Sequence, residues 1–138
     1  MLSGRVLRGV ISAHLLAIVG QPVFAGVYLS GDFDALRWHA AGANVVTSIA
    51  YLQVIVAVVV WVRLRLAWPF TMSLGLAIAE TVQYFAGQDG ALWLHIPLGV
   101  FTIAGVAIQF IRIWQQPLRG LAPQPAEAPE PSQEPADA

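Results

Sequence analysis

Four long apolar runs, separated by breaks of only a few polar residues, restrict this chain more than any other feature. They cover about Val6 to Leu29, Ala35 to Val62, Leu66 to Ala86 and Ala91 to Trp114. A membrane helix needs about 20 apolar residues to cross roughly 30 Å of hydrocarbon, and each run reaches that length. Of the 138 residues, 57% are hydrophobic and 11% charged. Ordinary soluble domains hold about 45 to 50% apolar residues, so a soluble fold would struggle to hide these runs. The connections "SGDFD", "RLR" and "GQDG" suit only antiparallel neighbours. The expected fold is all-α and integral to the membrane, an up-down four-helix transmembrane bundle over residues 1–114. Asp34 and Asp89 are the expected N-caps of the second and fourth helices.

Charge sets the expected orientation. All seven basic residues are Arg. Arg5, Arg8, Arg63, Arg65, Arg112 and Arg119 fall on one side of the four runs, and Arg37 alone falls on the other, beside Asp32, Asp34 and Asp89. Cytoplasmic ends retain positive charge, so a cell (inner) membrane protein with both termini cytoplasmic is expected. The stretch before Gly26, ending "VFA", has features of a cleavable signal, but His14, Gln21 and Pro22 interrupt it and favour a retained helix. From Gln115 onward the chain holds six of its nine prolines and almost no large apolar residues. Residues 115–138 are expected to be a disordered acidic tail in the cytoplasm, without chemistry of its own.

A short phrase occurs twice. "GDFDALRWH" runs from Gly31 to His39, and "GQDGALWLH" from Gly87 to His95, so that a Gly, an Ala-Leu pair and a His recur at one spacing. Gln53 follows His39 by fourteen residues and Gln109 follows His95 by the same interval. Fourteen residues are nearly four helical turns and about 21 Å of rise, which puts His and Gln on one face but in opposite leaflets. The bundle is thus expected to be two repeated helical hairpins, related by an axis along the membrane normal. His39 and His95 then stand at equal depth on the second and fourth helices, near the outer face. Gly42 and Gly99 follow them on the same faces. Small residues leave room for a flat macrocycle there, although tight helix packing uses them too.

Two neutral imidazoles pointing inward at one level suit the axial positions of a haem iron, each with its second ring nitrogen bonded elsewhere. With no Cys, thiolate and iron-sulfur sites are excluded. The competing reading makes both histidines interfacial polar residues or helix-to-helix hydrogen bonders. Glu80, an acid within the third run, must face inward because a charge in the span costs about 2.5 to 3.5 kcal/mol. It is a candidate acceptor for a ligand-histidine ring N–H, or a proton relay. The alternative for it is a protonated acid bonded to a neighbouring helix. Arg37, the one outer cation, is a candidate partner for haem propionates. The tryptophans are expected to anchor the interfaces. His14 is read as a polar residue near Arg5 and Arg8. No nucleophile, phosphate loop or nucleic-acid patch stands out, so hydrolytic and phosphoryl-transfer chemistry are not expected.

Over about residues 1–114 this pattern resembles the four-helix haem-binding core of membrane b-type cytochromes, in which the second and fourth helices each carry a His, thirteen residues and a second His. Here the outer pair, His39 and His95, is kept, and Gln53 and Gln109 replace the inner pair. The layout is also similar to half of a haem A synthase. The resemblance implies one bis-histidine haem b near the outer face and none at the inner position, where the two glutamines would bond to each other. It further implies electron transfer to or from a quinone or an outer-face redox protein, and association with itself or another subunit in the bilayer. The other readings are a haem-free accessory subunit of a larger membrane complex and a small transporter lined by Glu80, Gln53 and Gln109.

Overall fold

The computed structural model describes residues 2–116. Nearly all of the expected tail, residues 117–138, lies outside them. Among the described residues there are four helices and no strands: α1 (Leu2–Leu29), α2 (Ala35–Leu64), α3 (Trp68–Gln88) and α4 (Leu92–Gln115). α1, α2 and α4 are long and apolar enough to cross a membrane. α3 has the length, at 21 residues, but is less apolar, because it carries Ser73, Glu80 and Gln83 toward its neighbours.

Each helix packs on two others, α1 and α3 both lying against α2 and α4, while the diagonal pairs meet through side chains and not through close backbone approach. Along α1 the buried residues are Gly4, Leu7, Ile11, His14 and Ile18, and along α4 they are Thr102, Val106, Gln109 and Ile113. Steps of three and four residues turn one stripe of each helix inward, the spacing that lets side chains of one helix fit between those of the next. Across helices His14 meets Gln53, and His39 meets Gln21, so numbers fall along α1 as they rise along α2.

The core is layered. Leu7, Ile11, Ala57, Val60 and Ile113 form one apolar cluster, and Ile18, Val46 and Val106 form another. Between them, in sequence order on α1, α2 and α4, come His14, Gln53 and Gln109. Facing away from the bundle, mid-helix side chains such as Leu16, Ile55, Val100 and Phe101 are exposed. That inverts a soluble protein, which seldom exposes contiguous apolar surface on this scale.

The helix ends differ from expectation. Asp34 does hold the N-cap position of α2, but its side chain makes no capping bond. Its own N–H instead donates to Asp32 Oδ1 at 3.1 Å. Asp89 does not cap α4. It closes α3, with its N–H donating to Phe85 O at 2.9 Å, and Ala91 holds the α4 N-cap. The reason is Gly90: at φ 72° it takes the left-handed turn that ends helices, and Ala91 N–H reaches back to Ala86 O at 2.8 Å. α2 ends on Arg65, a non-glycine residue held at φ 55°. At that end of the bundle Arg8 donates to Ile113 O and Gln116 O at 3.0 and 2.6 Å, and Trp68 Nε1 donates to Gln116 Oε1 at 2.9 Å.

Candidate functional site

His39, in the second turn of α2, and His95, in the first turn of α4, are brought together across the bundle. Their ring centres lie 6.0 Å apart and their planes cross at 78°. Each ring is anchored in the same way by the other helix of its hairpin. His39 Nδ1 is 3.2 Å from the carbonyl oxygen of Gln21 in α1, and His95 Nδ1 is 2.8 Å from that of Gln83 in α3. A carbonyl can only accept, so in both rings Nδ1 carries the proton and Nε2 is the nitrogen with a free lone pair. Neither Nε2 has a hydrogen-bond partner among the described residues.

Glycines hold these anchors close. A Cβ on Gly42 would collide with the Gln21 side chain, and one on Gly99 would come within 2.7 Å of Gln83 Nε2. Gly42 and Gly99 therefore admit the side chains of the glutamines whose carbonyls hold the rings, and these side chains take the room expected there for a macrocycle. Gly87, which the sequence reading passed over as a site residue, lies against His95 itself: a Cβ there would be 2.9 Å from both Cε1 and Nδ1 of the ring. Arg37 stands at the same end of the bundle, 87% exposed and 4.0 Å from Asp34.

Glu80 is not the acceptor of either ring N–H. Backbone carbonyls fill that role, and Glu80 faces His14, whose Nε2 lies 3.1 Å from Oε1 and 3.2 Å from Oε2. Nor is His14 a residue of the Arg5 and Arg8 neighbourhood: it is fully buried, and Glu80 is 3% exposed. From His14 the polar contacts run through all four helices. His14 Nδ1 is 2.9 Å from Gln53 Oε1, and Gln53 Nε2 donates to Gln109 Oε1 at 2.9 Å and to Ser73 Oγ at 3.0 Å. Gln109 Nε2 donates to Ser73 Oγ at 2.8 Å and to Pro69 O at 3.2 Å. The glutamines thus bond across the bundle as expected, but as part of a larger layer.

That layer fixes its own protonation pattern. The Pro69 carbonyl accepts only, so the Gln109 nitrogen must face it. This orients Gln109 Oε1 to Gln53, then Gln53 Oε1 to His14, and so puts a proton on His14 Nδ1. Leaving such buried groups unpaired would cost about 1–3 kcal/mol each.

No group of three or more His, Cys, Asp or Glu that could hold a metal ion by itself occurs among the described residues. A porphyrin brings four nitrogens of its own, so an axial pair needs only two protein ligands. No protein family matches this chain, and no curated protein or solved structure is significantly similar to it.

Proposed function

We propose that this chain is an integral membrane cytochrome: an up-down four-helix bundle with both termini in the cytoplasm, holding one haem b between His39 and His95 for electron transfer. The observation that carries the reading is the ring pair. The ring centres stand 6.0 Å apart and both Nε2 lone pairs are unengaged. With metal–imidazole bonds of about 2 Å, that separation would leave room for one iron held by His39 and His95.

A bound haem would supply a one-electron iron centre. The chain's part is to present two Nε2 lone pairs and hold the rings still, which the Gln21 and Gln83 carbonyls do by taking the Nδ1 protons. Acceptors of this kind also make the ligand nitrogen more basic. Held by both histidines, the group would have no open position for oxygen or a substrate, so electron transfer is the natural task. Arg37 is the outer-end cation for the propionates. A quinone or an outer-face redox protein is the proposed partner. Membrane insertion draws support from the three long apolar helices and from the outward apolar side chains.

The test is spectroscopic. Protein from haem-sufficient cells should show a Soret band that sharpens and shifts on reduction. His39→Ala and His95→Ala should each abolish it, while His14→Ala should keep it. A colourless wild-type preparation would favour the haem-free accessory subunit. The transporter reading has less to stand on, because Gln53, Gln109 and Glu80 are buried and engaged with other side chains of the polar layer.

A further inference from the structure

Electron transfer between His39 and His95 gives no task to the one buried acid and base of the bundle, His14 and Glu80. Since His14 Nδ1 carries a proton for Gln53, the Nε2 beside Glu80 either bears a proton of its own or receives a hydrogen bond from the carboxyl group. One proton is shared between them in both cases. Nε2 is almost equidistant from the two carboxyl oxygens, but hydrogen-bonding geometry is met at Oε2 alone, and Oε1 is buried without a hydrogen-bond partner. An orphaned oxygen on a 97%-buried carboxyl group is costly unless it has a use.

We propose, resting on the haem reading, that Oε1 of Glu80 is a proton-binding site that fills when an electron is placed between His39 and His95. The electron comes from a one-electron donor and the proton from the aqueous phase. An O–H bond forms at Oε1; where the shared proton starts on Oε2, that O–H bond breaks as the proton passes to His14 Nε2, so either starting form ends with one proton on each partner, and both particles leave on reoxidation. Uptake of one positive charge for one negative charge leaves the net charge of the bundle interior unchanged, and uncompensated charge there is expensive. Glu80 is linked to the histidine pair through α3: it lies one turn, about 4.5 Å of rise, from Gln83, whose carbonyl holds His95.

Among the described residues, the buried polar side chains on the neighbouring helices are His14 on α1, Gln53 on α2, and Thr102 and Gln109 on α4, of which His14 alone is ionisable. Tyr51 and Tyr84 are bonded at the outside of the bundle to Thr81 and Asn44. The half-buried His39 and His95 face each other, and Arg8 is engaged with the end of α4.

The experiment is a redox titration of the haem-loaded full chain at several pH values. One proton per electron lowers the midpoint potential by up to about 59 mV for each pH unit. The wild-type protein and Glu80→Asp should show such a slope, and Glu80→Gln should lose it with its haem spectrum unchanged. A wild-type potential independent of pH, or a slope that survives in Glu80→Gln, overturns the proposal and leaves the haem reading standing. Absence of haem overturns both. Should the Gln variant fail to fold, the wild-type infrared difference spectrum decides: reduction should create or shift a carboxylic-acid C=O band, and an unchanged spectrum in that region refutes the site.

Discussion

Replacing Gly87 by Ala tests the placement of His95 without touching either ligand. The new Cβ would lie 2.9 Å from Cε1 and Nδ1 of the ring, whereas carbon atoms pack at about 3.5 Å or more. The ring must therefore retreat by about 0.6 Å. If the movement is in line with its hydrogen bond, the 2.8 Å contact to Gln83 O lengthens to about 3.4 Å, beyond the useful range for N–H···O. Overpacking of this kind costs about 1–3 kcal/mol. Ala in place of a helical Gly returns about 1 kcal/mol, so stability should fall by about 2 kcal/mol at most. The larger effect should be on the ligand. Losing the group that orients a metal-binding histidine weakens affinity about 10- to 100-fold. Haem titration of purified protein, followed at the Soret band, measures this directly, with a thermal melt alongside. Gly75→Ala is the control, since no atom lies within 4 Å of a Cβ there. It should keep haem affinity and gain slightly in stability. Wild-type affinity in Gly87→Ala would refute both the position of His95 and the role given to its carbonyl anchor.

Two further substitutions probe the scaffold. Gln109→Leu removes the anchor of the polar layer, leaving Gln53 and Ser73 short of partners, and should lower unfolding stability in detergent by about 1–3 kcal/mol; no change would mean that the layer adds nothing to stability. Arg65→Gly relieves a non-glycine residue at φ 55° and ψ 29°, and should raise stability by about 1 kcal/mol in the same assay.

The four helices were legible because apolar length is a strong signal, and the histidine pair because a Gly, a His and a Gln recur at one interval in both halves. What escaped was set by contacts between helices rather than by patterns along them. Nothing in the sequence says that the carbonyls of Gln21 and Gln83 will meet the two rings, since every residue has a carbonyl. The helix end at Asp89 was misread because an acid before an apolar run looks like a cap, whereas Gly90 decides the turn. His14 was within reach. It falls on the stripe Leu7, Ile11, His14, Ile18, spaced four, three and four residues apart, and that spacing places it in the core rather than beside Arg5 and Arg8.

The two halves are alike where the proposed haem sits and unlike where the proton does, and the register shows why. His39 meets a carbonyl 18 residues before it and His95 one only 12 before it. The repeat that links α2 to α4 by 56 positions therefore links α1 to α3 by 62, through Gln21 and Gln83. In that register His14 corresponds to Leu76, and Glu80 to Ile18. Both counterparts belong to the apolar cluster around Val46 and Val106. A strict repeat would carry this acid and base twice, as two facing pairs, or not at all. Departing from the repeat at two positions leaves a single acid facing a single base at 3.1 Å, a pair that can lie in the core with no net charge. The halves stay alike around the two histidines that would grip one ligand from both sides, and they differ where a single proton is shared between His14 and Glu80.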